Sequence, residues 1–269
     1  MKKLVIGLVL VVAFCSFLLI KQKGTPNKNT SFSPGEELEY RVHLAFFTVG
    51  KARTIVDKNY HKVDSKTCYK VDAYGVTSDW ISWISRFDDN WGAYVDTTSG
   101  NTHIAYRKLK EGSYRRDEVV TFDHEKNKAE VKVKDAETGK EDIKVYDIPP
   151  NTKDIVTGFL HLRVIDFSRI SKGDTITLSG FLENASYKLK IIYQGKEVVH
   201  TRVGKIQCLR LRPIMPENSL FDGENSVLCW ISDDLNRIPV KVQAKMFVGS
   251  AGLELIQFRG LRNQIRTVP

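Results

Sequence analysis

Trp80, Trp83, Arg86 and Trp91 crowd one short stretch of this sequence, with Phe87, Asp88 and Asp89 among them. Indole faces beside charged groups suit a sugar ring, or an acyl chain that carries an anionic headgroup. The alternative is that Trp80 and Trp83 simply fill a core. Elsewhere the residues capable of chemistry are dispersed. Six histidines (His43, His61, His103, His124, His161 and His200) include no pair at metal-binding spacing. Asp123-His124-Glu125 is a compact acid–histidine cluster, but its setting between Phe122 and Lys126-Asn127 is that of a hairpin turn rather than a general acid and base. Gly249-Ser250-Ala251-Gly252 lacks the spacer of a nucleophile elbow. Asp88-Asp89 and Asp233-Asp234 lack the alternating oxygen ligands of a calcium loop. The sequence thus gives no metal site, no cofactor and no identified catalytic residue. Paired carboxylates of a hydrolase stay open, because their separation is spatial.

The compartment is read from the first 23 residues. Met1-Lys2-Lys3 precedes Leu4 to Ile20, a run without charge, and Lys21-Gln22-Lys23 follows. A basic start, an apolar stretch and a polar exit make an export signal. Three forms remain open. A retained N-terminal hydrophobic helix would be at the short end of the roughly 17–25 residues a membrane helix needs. A cleaved peptide would use the small Ala13 and Cys15. A lipidated form would use Cys15, although Phe14 before it is bulky. Expected locations are the periplasm and the periplasmic face of the inner membrane, with membrane contact through this segment. Beyond the leader lie Cys68, Cys208 and Cys229, an odd number that argues against a disulfide framework. A Cys208–Cys229 bridge is allowed in an oxidising compartment; otherwise both are small buried residues.

The formal charge is +9, but Lys2, Lys3, Lys21 and Lys23 belong to the leader, which leaves +5. No basic block is interleaved with aromatics, so nucleic acid is not an expected partner. Residues 24–33 read as a polar tether and 34–262 as a β-rich domain of ample size for its own core, with 263–269 as a tail.

Periodicity after residue 35 is mostly two. Leu38, Tyr40, Val42, Leu44 and Phe46 alternate with polar partners, as do Ala129, Val131 and Val133, Tyr187 to Tyr193, and Val240 to Val248. Glu137-Thr138-Gly139 and Gln194-Gly195-Lys196 read as turns between strands. One segment differs: after Pro149-Pro150, Asp154 caps an expected helix at about 154–168 through Ile155, Phe159, Leu162 and Ile165. A shorter helical turn is expected at Ser78–Trp83.

Several landmarks run in order: Phe32-Ser33-Pro34-Gly35-Glu36-Glu37-Leu38-Glu39-Tyr40, Glu111-Gly112-Ser113-Tyr114, Asp154-Ile155-Val156-Thr157, Tyr193-Gln194-Gly195-Lys196-Glu197, and Trp230-Ile231-Ser232-Asp233-Asp234. Over about residues 32–262 the chain resembles the domain-of-unknown-function 3108 family of exported bacterial proteins of the Bacteroidetes kind. The resemblance implies an exported, barrel-like β fold and supplies no catalytic residues. The fold expected is therefore mainly β, with antiparallel, curved or barrel-like sheet and one packed helix. The function expected is non-catalytic binding of a lipid or glycan envelope component. Alternatives are an envelope-assembly partner, its protein partners unknown, or a hydrolase of envelope polymers.

Overall fold

The computed structural model describes residues 29–81, 86–214, 225–247 and 249–269. Alternation of apolar and polar residues builds strands with one buried face. The strands are β1 (Glu37–Leu44), β2 (Phe47–Val63), β3 (Lys66–Thr77), β4 (Asp88–Asp96), β5 (Thr102–Glu111), β6 (Tyr114–Asp123), β7 (Lys128–Lys134) and β8 (Glu141–Asp147). After the helix α1 (Ile155–Val164) come β9 (Thr175–Leu182), β10 (Ala185–Thr201), β11 (Gly204–Pro213), β12 (Val227–Ser232), β13 (Pro239–Lys245), β14 (Ser250–Arg259) and β15 (Thr267–Val268). In β1 the expected residues Leu38, Tyr40 and Val42 are the buried ones.

The strands form one sheet in the order β8-β7-β6-β5-β4-β3-β2-β1-β14-β13-β12-β11-β10-β9, and β15 adds to β11. All the ladders are antiparallel, including the long-range pairing of β1 with β14. The expected barrel is corrected here: β8 and β9, the two ends of the path, share no ladder, so the sheet is open. The reason lies in the connection. Instead of β8, the segment before α1 takes the outer edge of β9: the Lys153 N–H donates to Ser179 O and Phe181 N–H to Lys153 O, both at 3.0 Å. Period-two alternation specifies buried faces but not which edges meet.

The expected N-terminal hydrophobic helix lies at 1–23, outside the described residues. Among the described residues no helix is long and apolar enough to cross a membrane. At ten residues α1 is about 15 Å long, half the thickness of a hydrocarbon core. No described helix therefore carries the transmembrane reading.

Helix α1 begins where Asp154 accepts the N–H groups of Val156 at 2.8 Å and Thr157 at 3.3 Å. It ends at Ile165, which is extended, and a short 3-10 turn follows at Phe167–Arg169. The expected span of 154–168 thus contains two helical pieces. α1 is apolar nearly all round because it is packed on more than one side. Val156 and Leu160 join Val56, Val71, Ala93 and Val95 of β2–β4, whereas Leu162 joins Leu178, Ile191 and Leu211. A third core holds Ala105, Val120, Phe122 and Val131 with Phe181 of β9. Among the described residues, every buried member of these cores lies between Phe32 and Leu255. The described residues of 29–269 build these cores among themselves.

The Gln194-Gly195-Lys196 signal is not a turn. Tyr193 pairs with Leu211 and Lys196 with Leu209, so β10 continues through an irregularity where Gly195 has φ +99°. A glycine there relieves the steric cost of the left-handed backbone.

Candidate functional site

A cavity of about 170 Å³ lies between α1 and the inner faces of β1–β4, β13 and β14. Its wall is built from Leu38, Val42, Ala52, Val71, Ala73, Phe159 and their neighbours. An engineered apolar cavity of about 150 Å³ stays dry and takes up benzene. This one is thus suited to a ring or a short length of hydrocarbon. A smaller cavity of about 60 Å³ lies on the β9–β12 side, and Ile155, Phe159 and Val242 border both.

One end of the larger cavity is closed by a buried ion pair. Arg163 of α1 meets Glu36 through two bonds, at 2.5 Å and 2.8 Å. The same guanidinium donates to Asn236 O at 2.9 Å and Ser31 O at 3.2 Å, and lies over the Phe32 ring. These contacts tie the chain before β1, the helix and the β12–β13 turn to one side chain. The engaged head leaves no free charge to grip a polar ligand.

The other end carries a carboxyl pair. Asp89 of β4 borders the cavity, is almost fully buried and accepts the Lys110 N–H at 3.0 Å. Burial raises its pKa. Glu111 is pushed up to about 7, first by burial and then by the charge of Asp89. Like charges brought together out of water hold one proton between them. Beside them a charged row crosses the inner face. Arg107 clasps Glu118 at 2.7 Å and 3.1 Å, reaches Glu183 at 2.6 Å, and covers the Trp91 ring at 5.3 Å. Register explains the row, because Arg107 sits directly opposite both Trp91 and Glu118.

The aromatic stretch singled out in the sequence is divided by the fold. Trp91 lines the cavity, while Trp80 is 54% exposed and its indole N–H donates to Thr48 O at 2.9 Å. Arg86 is exposed at the end of the sheet, and Trp83 lies outside the described residues. Of the described three, Trp91 alone borders the cavity. The expected turn at Ser78–Trp83 is represented by a 3-10 turn at Asp79–Ile81. Cys15 also lies outside the described residues. Cys208 and Cys229 are free thiols. Cys208 pairs with Ser232 and Leu211 with Cys229, so three register steps separate them, about 10 Å along the strands and beyond disulfide reach. Burial pushes both thiols up to about 12.

Asp123 to Glu125 forms the β6–β7 turn, with Asp123 accepting the N–H groups of Glu125 and Lys126. His124 is held by Thr102 O at 2.7 Å and stacks on Phe122. Among the described residues no group of three or more His, Cys, Asp or Glu side chains is placed to hold a metal ion. The Glu36–Arg163 and Asp89–Glu111 pairs escaped the sequence reading. For Asp89 and Glu111 the available signal was charge at inward-facing strand positions, as with Arg107 and Glu111 flanking the buried Leu109. Glu36, before β1, and Arg163, on α1, carried no such signal.

A family model described as a protein of unknown function, DUF3108, matches residues 39–256. The chain belongs to that family. No curated protein matches the sequence. Among solved structures, this DUF3108 member is similar to a β-barrel-like protein of the domain of unknown function DUF1849 from Brucella abortus. The two are 9% identical with a TM-score of 0.54, over 85% of this chain and 99% of the other, a likeness of fold alone. A candidate lipoprotein from Parabacteroides distasonis is 11% identical with a TM-score of 0.36, over 88% and 100% of the two chains. A candidate exported protein with a YmcC-like fold from Bacteroides fragilis is 7% identical with a TM-score of 0.33, over 85% and 97%.

Proposed function

We propose that this DUF3108 protein is exported and binds the hydrocarbon part of an amphipathic envelope molecule in the cavity beneath α1, without catalysis. The apolar wall of that cavity carries the reading. A glycan would need a set of hydrogen-bonding groups matched to its several hydroxyls, whereas the head of Arg163 is already engaged. Tyr40 Oη, Asp89 Oδ2 and Trp91 Nε1 are isolated polar atoms on a wall that is otherwise mostly apolar. Each buried methylene contributes about 0.8 kcal/mol, so a chain of about six would contribute roughly 5 kcal/mol before the cost of association. The Asp89–Glu111 couple does not favour a hydrolase. Carboxyls of a retaining glycosidase stand about 5–5.5 Å apart with the scissile bond between them, whereas Asp89 is almost fully buried and accepts the Lys110 N–H on a mostly apolar wall.

The assembly-partner reading has one observation behind it. The outer strand β8 exposes Ile143 and Val145. Charged Glu141, Asp142 and Lys144 along the same strand blunt it as a pairing edge.

The test is titration of the 29–269 polypeptide with a fluorescent fatty acid, alongside native mass spectrometry of protein recovered from a bacterial envelope. Saturable uptake that is lost in Ala73→Phe, which fills the cavity, is the expected result. A clean polypeptide mass and no uptake by the wild type would overturn the reading.

A further inference from the structure

We propose that one end of the sheet is a membrane-docking surface, whose turns seat aromatic rings in the interfacial layer of a bilayer while flanking cations meet its phosphates. The β1–β2 turn presents Phe46 and Phe47, 86% and 52% exposed, with their rings 4.3 Å apart. Phe47 also meets Trp80, at 6.2 Å. The β13–β14 turn, carrying Phe247 at 64% exposure, is the immediate neighbour, for the Ala45 N–H donates to Ser250 O at 2.6 Å. Tyr114 projects from the β5–β6 turn, which is joined to the same end by the Gly112 N–H donating to Arg86 O at 2.8 Å.

Single exposed apolar residues are ordinary, but rings contributed by several separate turns to one end of a molecule mark an interaction site. These rings stand on the tips of turns at strand ends, a geometry that meets a plane rather than encloses a peptide. Cations stand at the same end. Arg86 follows the Trp80 turn and is exposed, and Arg115 adjoins Tyr114, its guanidinium donating to Gly112 O and Tyr114 O. Aromatic rings with neighbouring Lys and Arg form the interfacial pattern of proteins that sit at a membrane surface. The cavity wall reaches this end too, through Gly75, Phe87 and Gly252. The docking surface nonetheless stands on its own observations and does not require an occupied cavity.

The experiment is co-sedimentation of the 29–269 polypeptide with vesicles of phosphatidylethanolamine and phosphatidylglycerol. The wild type is expected to partition onto the vesicles, and Phe46→Ser/Phe47→Ser to lose about tenfold or more in partitioning. Their exposure predicts an unchanged thermal midpoint. Arg86→Gln/Arg115→Gln should weaken partitioning at low salt and less at high salt. Ala73→Phe should leave it unchanged, which separates docking from lipid uptake by the cavity. Four results would overturn the proposal: no sedimentation of the wild type; equal sedimentation of the phenylalanine variant; loss of sedimentation in Ala73→Phe; or vesicle-free dimerisation abolished by the phenylalanine substitutions.

Discussion

Replacing Arg163 with Met tests whether one buried side chain holds the cavity's closed end together. Arg163 and Glu36 are 4% and 2% exposed as side chains, so the substitution leaves a carboxylate without its cation and out of water. Breaking a buried pair in this way costs about 3–5 kcal/mol. Removing both charges, as in Glu36→Leu/Arg163→Met, eliminates the stranded carboxylate. The donor to Asn236 O and Ser31 O, about 1 kcal/mol for each bond, is lost in both variants and cancels between them. The double variant should therefore be more stable than Arg163→Met by the cost of the stranded carboxylate, about 3–5 kcal/mol. Urea unfolding of the 29–269 polypeptide at neutral pH measures both, with an unchanged slope confirming two comparable transitions. A double variant as unstable as the single one would refute the reasoning, because the cost would then lie in lost packing rather than in an unpaired charge.

Glu111→Gln should flatten the pH dependence of stability. With its pKa raised from 4.5 to about 7, the folded chain holds more protons than the unfolded chain between those values. Stability from this group is thus present below about 4.5 and lost as pH rises through about 7, by roughly 1–2 kcal/mol after discounting for solvent screening. Urea midpoints across that range, wild type against variant, check the sign. Phe159→Ala removes the ring bordering both cavities and should cost about 2–3 kcal/mol while admitting a longer fatty acid, read by chain-length dependence of uptake. Cys208 and Cys229 should resist alkylation in the native protein at pH 8 and react once urea unfolds it, because burial keeps them protonated. Mass spectrometry of the alkylated chain counts the modified sites.

Strand faces were legible in the sequence because alternation is local. Leu38, Tyr40 and Val42 declare a buried face wherever β1 is placed, and Ala129, Val131 and Val133 imply the β7–β8 hairpin with its turn. The cap at Asp154 was equally local, being a carboxylate two and three residues from the amides it accepts. The Gly195 signal was ambiguous because a glycine with positive φ serves a turn and a strand irregularity alike, and only the continued pairing with β11 distinguishes them. Trp80 and Trp91 part for a similar reason. Closeness in sequence across a turn sends Trp80 outward and Trp91 inward, since the end of a strand lies between them.

By itself the sequence determined an antiparallel body with one helix, the buried side of strands such as β1, β7 and β13, and the family to which the chain belongs. The tertiary structure decided that Lys153 rather than β8 takes the edge of β9, leaving the sheet open. It also brought Glu36 to Arg163 across 127 residues and placed Asp89 beside Glu111. Periodicity records which way a side chain points relative to its own backbone. It carries no information about which distant backbone arrives opposite, and both the cavity and its charged ends are made by that arrival.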